Sequence, residues 1–172
     1  MSLARNKAPL LKSLDFYFQF LKDVNANDFE KIPSNGAWSL GQVYSHIIGV
    51  NIMSHIALEK CLIKTAELKT RKPHWKVRLI LFLGRFPPGK IKAPTAVATE
   101  VKSFTKEEAS NQLIRLIKKV NEYDYNSKTL DKNYKVKHPR LGYLDAESWF
   151  RFMLMHTNHH IKQVKNTYKD LS

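Results

Sequence analysis

The chain has one cysteine, Cys61, among its 172 residues. A single cysteine can form no internal disulfide and rules out a cysteine-rich zinc module, and it suits a reducing cytoplasm. Glycine is scarce, with six residues, and the long periodic segments contain few breakers, which favours helices over a sheet protein. Long hydrophobic runs are missing too. The longest, Leu79-Ile-Leu-Phe-Leu83, is far too short to span a bilayer, and Leu3-Ala-Arg-Asn-Lys at the start does not lead into a secretory apolar core. Acidic residues are few, 15 against 29 lysines and arginines, so the net charge is +14. That imbalance raises nucleic acid or an anionic membrane as a partner, although an ordinary basic surface has the same signature. The cations are spread over every segment and are densest between Lys69 and Arg78.

What is present is helical periodicity. One soluble domain over residues 1–172 is expected from a length that can bury a full core. A first helix is read from Pro9 to Val24, with Leu10, Leu14, Tyr17, Phe18 and Leu21 recurring at spacings of three and four. Ser39-Leu-Gly-Gln42 is a capping box, with Trp38 and Val43 placed for a hydrophobic staple. The helix that it opens is read to about Lys69. Residues 70–104 form a long crossover with a short helical piece near 76–83. Thr105-Lys-Glu-Glu108 is a second capping box, opening a helix to about Tyr125 with Leu113, Ile114, Ile117 and Val120 inward. A loop holds His138-Pro-Arg-Leu-Gly142, and Asp145 caps a last helix from Ala146 to Lys169. The fold class expected is all-α, a four-helix bundle with its long crossover between the second and third helices.

Three of the seven histidines lie within five residues, His156, His159 and His160. His156 and His160 are one helical turn apart, the spacing at which two imidazoles can grip one metal ion. With about 100° per residue, both fall within about 60° of Trp149, on the face shared with Met153, Val164 and Thr167. On the second helix, His46 shares a face with Val43, Val50, Met53, Ala57 and Cys61, whereas His55 points about 180° away, into solvent. Bundles build metal sites from facing helices, and three imidazoles leave an open coordination position. The plain alternative is three core histidines satisfied by hydrogen bonds. His159 lies at the margin of the face, as a substitute ligand or a hydrogen-bond partner of one; Gln163 lies nearer the face and can serve in the same way. Cys61 reads as a small core residue. His74 and His138 fall in loops, either solvated or lining a mouth.

At these residues the chain resembles a known family. Trp38-Ser39, six residues and then His46 is similar to the opening of the second helix in the DinB/YfiT-like superfamily. His138-Pro139-Arg140-Leu141-Gly142, Trp149, and His156-x-x-His159-His160-x-x-Gln163 resemble its C-terminal motif. The resemblance implies a four-helix bundle and a divalent metal, zinc or nickel, on His46, His156 and His160. It also implies metal-dependent hydrolases or transferases, the latter using low-molecular-weight thiols such as bacillithiol or mycothiol. The basic, apolar stretch from Lys69 to Lys92 maps onto no motif of that family.

Two functions follow as expectations. The first is a cytoplasmic metalloenzyme that activates a thiol or water, with a small, acidic substrate and a homodimeric assembly. No carboxylate in the motif is placed as a general base, since Glu147 lies about two and a half turns before His156, which favours the thiol. Within this reading the 70–92 segment is a pocket wall that offers Arg78 and Arg85 to an acidic substrate, or otherwise a packing piece. The second function is a non-enzymatic basic module that contacts nucleic acid or an anionic membrane surface. The histidines argue against it as the main role, because electrostatic binding needs no metal site.

Overall fold

A computed structural model describes residues 3–87, 101–125 and 130–171. Its elements are α1 (Leu3–Asp23), α2 (Ala26–Glu30), α3 (Leu40–Leu62), β1 (Glu67–Leu68), α4 (Trp75–Leu83), α5 (Lys106–Glu122), β2 (Tyr134–His138), β3 (Gly142–Leu144) and α6 (Ala146–Lys169). The protein is mostly helical, with one small antiparallel sheet in the order β1-β2-β3.

Both capping boxes form. Ser39 Oγ accepts from the Gln42 amide at 3.2 Å while Gln42 Oε1 accepts from the Ser39 amide at 3.1 Å. Thr105 and Glu108 repeat the exchange at 3.1 and 2.9 Å. Each box satisfies two amides that a helix start leaves without partners. Asp145 caps α6 through the Ser148 amide at 2.8 Å. α1 starts six residues before Pro9, burying Leu3 and Asn6; the ring at Pro9 costs one backbone bond and does not stop the helix.

The four long helices pack pairwise, α6 against α1 and α3, and α5 against the same two. The buried line of α1 is Leu10, Leu14, Tyr17 and Leu21. Its Tyr17 hydroxyl donates to the Thr157 carbonyl of α6 at 2.6 Å, and the Tyr44 hydroxyl of α3 donates to the Tyr17 carbonyl at 2.9 Å. Asn51 of α3 and Thr157 of α6 exchange side-chain hydrogen bonds at 3.0 and 3.2 Å. These buried bonds leave few polar groups unpaired and hold α3 and α6 in one register.

Several expectations need correction. α3 ends at Leu62 and not near Lys69; Glu67 and Leu68 pair instead with Lys135 and Tyr134 in the sheet. The loop expected around His138 is largely a hairpin, with Val136 opposite Leu144 and His138 opposite Gly142, whose φ of +72° closes the turn. α5 stops at Glu122. Its inward line runs through Ala109, Leu113, Leu116 and Val120, leaving Ile114 exposed. His55, read as solvent-facing, is 0% exposed, whereas Met53, read as buried, is 66% exposed. The cause is that α3 is enclosed by α6 on one side and α5 and β2 on others, so its polar back is interior as well.

Candidate metal centre

α3 and α6 bring three imidazoles together. His156 Nε2 stands 3.2 Å from His46 Nε2 and 3.2 Å from His160 Nε2. The ligand atoms of the three rings all lie within 4.8 Å of one another, and among the described residues no carboxylate or thiol joins them. His156 and His160 meet because they are one turn apart on α6, and His46 faces them because the Asn51–Thr157 pair aligns the two helices.

The surroundings set the protonation states. Burial pushes the His156 pKa well down, and the neighbouring His160, His46, His159 and His138 add to it. His160 is held down at about 4, mainly by burial. Burial also lowers His46. All three rings are therefore neutral at pH 7, the form that ligates metal.

Gln163 Oε1 lies 2.6 Å from His160 Nδ1. A carbonyl oxygen only accepts, so Nδ1 carries the proton and Nε2 presents its lone pair to the other rings. That leaves three Nε2 atoms crowded together with too few protons to pair them. His156 can donate through Nε2 to one neighbour and must leave the other contact unmade or share the proton. Its buried Nδ1 has no hydrogen-bond partner among the described residues. Converging lone pairs of this kind fit a cation. Two nitrogens bound tetrahedrally at about 2.0–2.1 Å stand about 3.3 Å apart, close to the two short spacings of the cluster.

Aromatic rings wall the cluster. Trp38 meets His46 edge-on at 5.5 Å, and Phe152 lies 5.4 Å from His156. Phe86, just beyond α4, reaches both His156, at 6.5 Å, and His159, at 5.0 Å. His159 itself is exposed, at the rim, with its ring 5.1 Å from that of His160. His138 packs on Phe152 at 4.5 Å and Trp149 at 5.3 Å, and its Nδ1 accepts from the Arg140 and Leu141 amides. It belongs to the wall, and burial with nearby Arg140 holds its pKa down at about 4. His74 stands apart as the cap of α4. Cys61 is buried in the core, with its thiol pKa pushed up to about 11 by burial. Glu147 pairs with Lys132 at 2.7 Å. Phe152 was legible as the residue one turn before His156. Phe86 belongs to the 70–92 segment read as a pocket wall, although nothing in its local pattern says which residue of that segment reaches the histidines.

The model of the DinB superfamily matches residues 12–164, a span that contains all three clustered histidines. Among curated proteins and among solved structures, nothing matches the chain.

Proposed function

Because the chain belongs to the DinB superfamily, which includes metal-dependent enzymes, we propose that it is a metalloenzyme whose divalent ion, zinc or nickel, is held by His46, His156 and His160. The observation that carries this reading is the convergence of three Nε2 atoms from neutral imidazoles, that of His160 left with its lone pair by Gln163. The four long packed helices support reading the frame as a four-helix bundle. When bound, the ion supplies Lewis acidity that makes a thiol or a water a nucleophile near neutral pH.

The rest of the chemistry belongs to the chain. Gln163 fixes the tautomer of His160, and the Asn51–Thr157 pair fixes the register that aims His46 at the α6 rings. Trp38, Phe86 and Phe152 exclude water from one side, while the half-buried His46 and the exposed His159 leave a way in. A thiol is the preferred nucleophile, because no described carboxylate joins the cluster to serve as base and Glu147 is engaged by Lys132. Transfer to or from a low-molecular-weight thiol with a small acidic substrate, in the cytoplasm, is the activity that this arrangement supports best.

The test is metal analysis of protein purified without an affinity metal, followed by a screen of thiol transfer against ester hydrolysis. About one ion per chain is expected, with transfer exceeding hydrolysis and both lost in His156→Ala and His160→Ala. A chain that neither contains metal nor takes up zinc overturns the proposal.

A further inference from the structure

From Lys69 to Pro87 the chain carries six cations, Lys69, Arg71, Lys72, Lys76, Arg78 and Arg85, and no acidic residue. α4 lies within this stretch and is apolar on two sides. Leu81 faces inward and is buried, and Arg151 of α6 pins the helix by donating from Nε to the Leu81 carbonyl at 2.9 Å and from Nη2 to the Phe82 carbonyl at 3.3 Å. The outer side carries Trp75 (61% exposed), Leu79 (47%), Phe82 (72%) and Leu83 (50%). At about 100° per residue these four side chains cover one arc of about 100°, with Lys76 at one edge and Arg78 at the other. Large apolar side chains gathered on one exposed face are costly in water and mark an interaction surface.

We infer that the outer face of α4 is a docking surface for an anionic lipid bilayer, with Trp75, Leu79, Phe82 and Leu83 entering the interface and Lys76, Arg78 and the flanking cations meeting lipid phosphates. Charge complementarity selects this occupant. An exposed apolar arc edged by one cation on each side, Lys76 and Arg78, within a segment that carries four more, suits the surface of an anionic membrane. A second copy placed face to face sets Lys76 and Arg78 of each chain near those of the other, and the net charge of +14 opposes that approach. Nucleic acid satisfies the cations but has no place for Leu79, Phe82 and Leu83. No helix of the described residues is long and apolar enough to cross a membrane, so the contact is peripheral. The inference is independent of the metal centre, although Phe86 links the two surfaces in space.

The full chain is mixed with vesicles of phosphatidylcholine alone and of phosphatidylcholine with phosphatidylglycerol, and co-sedimentation is measured. Binding is expected only to the anionic vesicles, weakening as salt is raised. Trp75→Ser with Phe82→Ser should reduce it at least about tenfold. Lys76→Glu with Arg78→Glu should reduce it at least about 25-fold, at about fivefold per cation. Circular dichroism and zinc uptake are followed in both variants and should not change. Absence of binding to anionic vesicles overturns the inference, as does binding that both variants retain. A wild-type dimer that the apolar variant dissociates assigns the face to a second copy and overturns it too. So does binding to duplex DNA, without vesicle binding, that the charge variant abolishes.

Discussion

Gln163 Oε1 stands 2.6 Å from His160 Nδ1, one turn further along α6. The contact decides which nitrogen of His160 is free, because an acceptor at Nδ1 keeps the proton there and the lone pair at Nε2. Gln163→Leu should lower zinc affinity about tenfold to a hundredfold and leave helical content unchanged. Gln163→Glu preserves the acceptor and should keep or strengthen binding. Titration calorimetry with zinc measures both; equal affinity in the leucine variant and the parent would mean that the tautomer is set by something else.

His55 makes a second buried histidine site with a structural role. Its Nε2 is 3.0 Å from the Tyr125 hydroxyl, and the Glu59 carboxylate lies 3.4 Å from Nδ1 without making a hydrogen bond to it. Glu59 also receives Lys119 from α5 at 3.1 Å, so the group ties α3 to α5. His55→Ala leaves a cavity and strands the Tyr125 hydroxyl, and should destabilise the protein by about 2–4 kcal/mol. Zinc stoichiometry should be untouched, because the residue lies nine positions along α3 from His46 on the opposite face. Urea unfolding with metal analysis on the same sample checks the two halves.

The contrast between His46 and His55 shows what periodicity can reveal. α6 was readable from Ala146 to Lys169 because its start is capped and its second half, from Asn158, exposes Lys162, Lys165 and Lys169 while Val164 and Thr167 stay buried, so Trp149, Met153, His156, His160 and Val164 fall on one line even though Phe152 to Thr157 are buried all round. α3 has no such contrast: Tyr44, Ile48, Ser54 and His55 are buried as well as Val43 and Ala57. A wheel that assumes one face inward must then place half of them in solvent. A helix apolar on every side is itself a sign of a central position, and that sign was available here. The hairpin was obscured for another reason. Tyr134-Lys-Val-Lys-His138 alternates, but over too few residues, with lysines in it, to compete with a loop reading. The histidine cluster was legible because its spacing is local on α6; the 70–92 segment was readable as a wall, but that Phe86 is the residue that reaches the histidines depends on where a long connection lands, which no local rule supplies.

Stability should depend on pH in a defined window. In the metal-free protein burial holds His46, His55 and His156 below their ordinary 6.5, and His138 and His160 at about 4. The unfolded chain takes up protons as the pH falls through about 6.5, while in the folded chain all five rings resist them, His138 and His160 until about 4. Unfolding therefore binds protons across that interval, and stability falls as the pH is lowered from about 6.5 to about 4 and is fully present above it. Urea midpoints of metal-free protein should drop over this range. The zinc-loaded protein should lose stability more steeply, since protons then also compete with the ion. A flat profile in the metal-free chain would show that the rings are more solvated than their burial implies.

Two glycines of α3 should respond oppositely to the same substitution. Gly49 is exposed in mid-helix with nothing near the position of a Cβ, so Gly49→Ala should stabilise by about 0.5–1 kcal/mol, as helix propensity dictates. Gly41 has the same helical backbone but is buried, and a Cβ there collides with the Phe104 carbonyl oxygen and Ser103 Oγ. The hydroxyl can rotate away; the carbonyl cannot, because the same backbone is tied to α3 by the Phe104 amide donating to the Gly41 carbonyl at 3.3 Å. Segment 103–104 must therefore lift from the start of α3, and Gly41→Ala should cost about 1–3 kcal/mol despite the better propensity of alanine. Thermal melts of the two variants beside the parent give the signs directly. Stabilisation by both substitutions would mean that the 103–104 backbone yields at little cost and that its contact with α3 contributes little to the fold.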